Sequence, residues 1–158
     1  MGRLALIATL FMLAGCGFQP VYGDAGISQE SWIESLRGAE VEVPQTAIGW
    51  QVGRFIRDRQ GGGISTPHRL VITLEQARED LLVQRDSNVI RSSVRLTGDY
   101  RLFNADTVLA SGSALVSAAY NRQRNGFVNE VALRNAEERA ARELAGRIWR
   151  ELTLASIP

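Results

Sequence analysis

From residue 90 to residue 102 the chain alternates. Ile90, Val94, Leu96, Tyr100 and Leu102 lie on one side, and Arg91, Ser93, Arg95, Thr97, Asp99 and Arg101 on the other. A period of two held over about thirteen residues predicts a long strand with one buried and one polar face. A shorter alternation, Ala39-Glu40-Val41-Glu42-Val43, stops at Pro44 and reads as a brief strand. Leu70, Ile72 and Leu74 alternate with Val71, Thr73 and Glu75. They predict another strand, resuming through Leu81 to Gln84 after a bulge or break near Ala77 to Asp80. Val108 to Tyr120, rich in Ala and Ser, predicts the last. Asp86-Ser87-Asn88 and Asn104-Ala105-Asp106 are turn sequences, which makes the strands they join antiparallel neighbours.

Two segments carry a helical period instead. Ile48, Val52, Phe55 and Ile56 recur within Gln45 to Gln60, with Thr46 positioned to cap and Gly61-Gly62-Gly63 to stop the helix. Between about Phe127 and Leu154, an i,i+4 stripe runs through Val128, Ala132, Ala136, Ala140, Leu144, Ile148 and Leu152. Val131, Ala141, Ala145 and Trp149 widen it. On its polar side Glu130–Arg134, Glu138–Arg142 and Glu143–Arg147 each place Glu four residues before Arg, the favourable order. The order β-α-β-β-β-α predicts an α+β domain. Its two helices pack on one face of a small, mostly antiparallel four-stranded sheet, so that both apolar surfaces are buried.

The N-terminus follows another pattern. Arg3 precedes an apolar run from Leu4 to Leu13, too short to span a bilayer as a helix and suited to a signal sequence. The run ends in Leu13-Ala14-Gly15-Cys16. Small residues let a peptidase grip extended backbone, and the thiol that follows offers a nucleophile for thioether attachment to diacylglycerol. Residues 1–15 are therefore expected to be a cleavable signal, with Cys16 lipidated. Three acyl chains exceed what stable membrane residence requires. Residues 16–37, broken by Gly17, Pro20, Gly23 and Gly26, read as a lipidated tether, with one or two helical turns between Ser28 and Leu36 carrying Trp32 and Leu36 on one side. Residues 38–158 are expected to form the single folded domain.

Composition narrows the functions. Of 158 residues 45% are hydrophobic and 22% charged, the balance of a globular chain rather than a disordered one. The net charge of +1 gives no field that would favour nucleic acid. All eighteen basic residues are arginine. Genome composition accounts for that bias; so would a need for guanidinium forks that take phosphate. One cysteine allows no internal disulfide, and one histidine no histidine cluster.

No catalytic pattern stands out. His68 lies between Pro67 and Arg69, in what reads as an exposed loop, and no Gly-x-Ser-x-Gly elbow occurs. The glycine triplet follows a helix instead of leading into one and lacks the P-loop lysine. Glu137-Glu138 sits on a charged helix face and Glu79-Asp80 at the expected bulge or break, so neither pair has reason to be buried for glycoside hydrolysis. The chain reads as non-enzymatic, with no cofactor and no metal.

Residues 13–23, Leu-Ala-Gly-Cys-Gly-Phe-Gln-Pro-Val-Tyr-Gly, resemble the start of the lipopolysaccharide-assembly lipoprotein family, LptE, above all its alphaproteobacterial branch. The lipobox is common to lipoproteins; Cys-Gly-Phe-x-Pro-x-Tyr is more specific, and the element order matches along nearly the whole chain. The resemblance implies a lipid-anchored protein on the periplasmic side of the outer membrane, and Gly17 in place of a retaining Asp fits that location. It further implies a plug and assembly partner for the β-barrel translocon LptD, and a protein that binds lipopolysaccharide. Family members carry a basic residue in the turn between the second and third strands, where Arg85 stands here. Another lies in the loop before the last helix, where Arg122 and Arg124 stand, although the matching position itself falls on Asn125. Lipopolysaccharide phosphates would suit arginine forks at these sites; a solvated surface charge is the other reading for each. For Arg91, Arg95 and Arg101 two readings compete, solvation or contact with the polar lumen of a barrel. Set against the translocon role is a periplasm-facing structural or lipid-binding lipoprotein without a barrel partner.

Overall fold

The computed structural model describes residues 26–83, 90–123 and 125–155. The elements are α1 (Gly26–Arg37), β1 (Glu40–Glu42), α2 (Ala47–Gln60), β2 (His68–Val83), β3 (Ile90–Asn104), β4 (Thr107–Arg122) and α3 (Gly126–Leu154). The four strands form one sheet in the order β1-β2-β3-β4. The β1 strand runs parallel to β2, with Val41 opposite Leu70, and α2 makes the crossover. The long strands pair antiparallel. Sequence and structure agree on an α+β fold built on a mostly antiparallel sheet.

Alternation decides which face is buried. Leu70 and Ile72 of β2, Val94, Leu96, Tyr100 and Leu102 of β3, and Ala114, Val116 and Ala118 of β4 all face the helices. They meet Val52, Phe55 and Ile56 of α2 and the α3 series Ala136, Ala140, Ala141, Leu144, Ala145, Ile148 and Leu152. Gly98 lets α3 approach: a Cβ there would stand 3.0 Å from Leu144 Cδ2. The opposite face carries Arg91, Arg95, Asp99 and Arg101 and is open to solvent, apart from the buried Ser93.

Helix ends follow local chemistry. The Thr46 hydroxyl accepts from Gly49 N at 3.1 Å to start α2, and Gly61, with φ of 68°, ends it in the left-handed region glycine tolerates. The Asn125 side chain accepts from Phe127 N and Val128 N to start α3.

The structure departs from the sequence expectation in three places. Where one or two helical turns were expected within a tether, α1 runs for twelve residues. The chain divides at Glu30 into two units; of the first only residues 26–30, the start of α1, are described. In the second, Trp32 and Leu36 are buried in the core, and Trp32 Nε1 donates to Leu152 O at 2.8 Å. Of the bulge or break expected near residues 77–80 the structure has the bulge, a register shift between Asp80 and Leu82, and β2 continues through it. His68 opens β2 opposite Asn104, half-buried, instead of lying in an exposed loop. Finally, Glu130–Arg134 and Glu138–Arg142 pair as expected, but Arg147 turns to Glu151 at 3.5 Å instead of to Glu143. Arg147 also donates to Leu115 O at 2.9 Å, because the outer edge of β4 presents carbonyls that lack a strand partner.

Candidate phosphate-facing end of the sheet

The β2 strand ends at Val83, β3 begins at Ile90 opposite it, and β4 ends at Arg122, also opposite Ile90. One end of the sheet therefore gathers three strand ends and the start of α3. Arg122 stands here. Its Nη1 lies 3.4 Å from Asp80 Oδ1, and the same oxygen accepts from Ser92 Oγ at 2.6 Å. The Ser92 hydrogen bond, aided by the Arg122 charge against some desolvation, holds the Asp80 carboxyl below its usual range. Asp80 thereby keeps its charge and fixes one edge of the guanidinium.

A second guanidinium reaches this end from β2. Arg78 Nη2 lies 3.3 Å from Glu137 Oε1, which also accepts from Gln76 Nε2 at 2.8 Å. Arg78, Tyr120, Arg122, Gly126, Asn129, Glu130 and Leu133 line a cavity of about 290 Å³. Glu130 is the acid in that wall, and Arg134 balances it at 2.9 Å. A broader depression of about 590 Å³ is lined by Arg78 and Arg134 together with Glu130, Glu137 and Glu138, each of these acids paired with an arginine.

The linker before α3 is clamped. Asn129 Oδ1 accepts from Gln123 N, and Asn129 Nδ2 donates to Gln123 O, both at 2.6 Å. With the Asn125 cap, this fixes the end of β4 against the first turn of α3.

The expected site residues are thus sorted as follows. Arg122 is at the gathered end, half-exposed and ion-paired. Arg85 and Arg124 lie outside the described residues, as does Cys16. On the open face Arg95 pairs with Glu79 at 3.0 Å, while Arg91 and Arg101 make no ion pair among the described residues. Arg91 sits opposite Asn121 near the gathered end. Arg101 lies toward the other end, in a shallow depression of about 650 Å³ shared with Arg69, Phe103, Ser111 and Ser113. Arg69 stacks on Phe103, 5.1 Å from the ring centre, and pairs with Glu42 at 3.3 Å. The sequence reading missed Arg78. Continuing the alternation Leu70, Ile72, Leu74, Gln76, Arg78 would have put it on the helix side, but the expected break interrupted that count.

Other chemistry is sparse. His68 Nδ1 is buried without a hydrogen-bond partner. Among the described residues no three His, Cys, Asp or Glu side chains converge as metal ligands would. Among them, too, no helix is long and apolar enough to cross a membrane.

No family model matches the chain, and no curated protein matches its sequence. Solved structures do share the fold. A protein of Caulobacter crescentus described as a lipoprotein superposes with a TM-score of 0.66 at 21% identity, over 78% of this chain and 93% of that one. A minor lipoprotein of Acinetobacter baumannii gives 0.53 at 13%, over 78% and 95%. The rare lipoprotein B of Shewanella oneidensis gives 0.56 at 11%, over 72% and 92%. At these identities the likeness is one of fold.

Proposed function

We propose that the chain is a lipid-anchored outer-membrane lipoprotein that binds lipopolysaccharide and serves as plug and assembly partner of an LptD-type β-barrel translocon. The lipobox ending in Cys16 supports the anchor. The fold is one that proteins described as bacterial lipoproteins also adopt, over nearly their whole length. The observation that carries the ligand is the meeting of Arg78 and Arg122 around one cavity at the gathered end of the sheet. Guanidinium forks take phosphate oxygens in pairs, and each fork here is held by a carboxylate on one side only. The open sheet face supports the plug role: it is polar and carries Arg91, Arg95 and Arg101, as a surface facing a polar lumen requires.

Two measurements test this. Affinity capture of the tagged chain from detergent-solubilised outer membranes should recover a large barrel protein; recovery without one removes the plug role. Reversing charge at Arg122 together with Arg85 and Arg124 should weaken lipopolysaccharide binding while the circular dichroism spectrum stays unchanged. Undiminished binding would take all three out of the site.

The reading without a barrel partner has one observation in its favour. Arg95 and Arg122 already have internal partners in Glu79 and Asp80, as charges resting in water do. Barrel recovery is again what separates the two.

A further inference from the structure

The cavity between the end of β4 and the start of α3 holds more than two cations. Gly126, Asn129, Glu130 and Leu133 recur at i, i+3, i+4 and i+7, so one face of the first two turns of α3 makes one wall. Tyr120 and Arg122 lie on the same side of β4, about 7 Å apart along the strand, and complete the lining with Arg78 of β2. Tyr120 and Leu133 are half-buried and pack against the core, which fixes their surfaces. The Asn125 cap and the double Asn129–Gln123 clamp fix the helical wall.

The lining groups differ in kind. Arg78 and Arg122 supply guanidinium donors, and Gly126 brings the positive end of a 29-residue helix. Tyr120 and Leu133 supply apolar surface, and Glu130 a carboxylate with more lone pairs than Arg134 takes. Inorganic phosphate uses only the first set and has nothing to lay against a phenol ring. A hydrocarbon chain uses only the second, and would strip water from Glu130 and both guanidinium groups without replacing it. A sugar that carries a phosphate uses every group: its ring has an apolar C–H face for the aromatic side chain, hydroxyls that donate to a carboxylate, and an anion for the arginines. The volume of about 290 Å³ stands at the lower bound of small-molecule sites, which suits one ring and not an oligosaccharide or a nucleotide.

We infer that this cavity takes one phosphorylated pyranose, with Tyr120 against the ring, Glu130 accepting from its hydroxyls, and Arg78 and Arg122 on the phosphate. The inference rests on the lipopolysaccharide reading and deepens it: a sugar is recognised together with its phosphate, and Tyr120 sets that specificity. A free sugar phosphate carries the same chemistry, so the test separates the two sources.

The test uses the full chain in a non-ionic detergent, with glucose 1-phosphate, inorganic phosphate and lipopolysaccharide as probes. The unaltered chain should bind glucose 1-phosphate about tenfold more tightly than inorganic phosphate. Its Tyr120 ring signals in NMR should shift more with the sugar phosphate than with phosphate, a reading that needs no variant. Tyr120→Leu should lose the preference and still bind inorganic phosphate, which certifies its fold. Tyr120→Phe should keep the preference, because the ring and not the hydroxyl makes the contact. Arg78→Gln/Arg122→Gln should bind neither small probe while its circular dichroism spectrum stays unchanged. Equal binding of the two small probes by the unaltered chain overturns the inference and leaves phosphate recognition standing. Tyr120 signals that respond alike to both overturn it as well, as does a Tyr120→Leu chain that keeps the preference. An arginine double variant that still binds glucose 1-phosphate puts the ring elsewhere and overturns it too. Lipopolysaccharide should displace glucose 1-phosphate. If it does not, the ring subsite stands as one for a free sugar phosphate and the lipopolysaccharide reading falls. A chain that binds lipopolysaccharide but neither small probe overturns the inference alone.

Discussion

Tyr100 Oη donates a 3.0 Å hydrogen bond to Glu151 Oε2, tying the middle of β3 to the last turns of α3. Burial, then the Glu151 hydrogen bond and charge, push the Tyr100 hydroxyl up to about 12 from an ordinary value of 10.0. A folded-state value above the unfolded one stabilises the fold fully below the unfolded value and loses that stabilisation as pH rises through the folded one. Stability should therefore hold up to about pH 10 and decline between 10 and 12. Tyr100→Phe should lower stability at neutral pH by about 1 kcal/mol, the worth of one hydrogen bond, and flatten that alkaline decline. Urea unfolding across the pH range measures both; an unchanged alkaline limb in the variant would assign the decline to other groups.

Gly112 stands against the same tyrosine. A Cβ at that position would collide with the Tyr100 hydroxyl and ring, so the glycine makes room for the bond just described. Gly112→Ala should cost about 1–3 kcal/mol by overpacking. In a Tyr100→Phe background the cost should shrink, because the nearest atom is gone. Denaturation of the four proteins of this cycle gives the coupling directly, and a zero coupling would mean that the two residues do not meet.

At the gathered end, Asp80 makes an opposite pH prediction. Its carboxyl is held low by Ser92 first and Arg122 second. A depressed folded value stabilises the fold above the unfolded value of 3.8 and ceases to do so as pH falls through the folded one. Ser92→Ala should move the Asp80 titration, followed by carboxyl carbon shifts in NMR, upward and by more than Arg122→Gln does. If the arginine variant moves it more, charge rather than the hydroxyl governs this corner.

Much of this was readable beforehand, for definite reasons. Val94 to Leu102 declare their strand because one face is buried and one wet, and a period of two survives any packing detail. Thr46 and Gly61 mark the ends of α2 because caps are local chemistry. What escaped depends on distant partners. Trp32 and Leu36 bury the second half of α1, which is held by Leu152 O, 120 residues away from Trp32, by Thr66, whose hydroxyl donates to Ser35 O, and by Gln60, whose Nε2 donates to Leu36 O and Ala39 O. Val128 and Val131 fit an apolar stripe as well as any core residue; only the structure shows the helix running past its core. Arg78 was hidden because the alternation was not followed up to the expected bulge, through which β2 continues. Arg147 pairs with Glu151 at the same helical spacing instead of with Glu143, and its other nitrogen serves Leu115 O on the strand edge, a distant partner that helical spacing does not reveal.

That edge supports the last prediction. The sheet ends at β4, a sixteen-residue strand with β3 as its one strand neighbour among the described residues. Its outward carbonyls form a template for pairing with another chain, and the small side chains of Ala110 to Ala114 do little to screen them. Two arginines of α3 reach over it: Arg139 Nη2 donates to Ala119 O at 2.8 Å and Arg147 Nη1 to Leu115 O at 2.9 Å. They satisfy the backbone and place charge on the line a second strand would follow. Arg139→Ala/Arg147→Ala should therefore lose little stability, since both side chains are exposed, yet self-associate at concentrations where the unaltered protein stays dispersed. Sedimentation velocity over a concentration series reads this, with infrared spectroscopy for the added strand signal. Lysine at both positions should restore dispersion at least in part, because an ammonium carries the same charge to the edge. A double alanine variant that sediments like the unaltered protein throughout the series would show that the two side chains only fill bonding capacity and do not guard the edge.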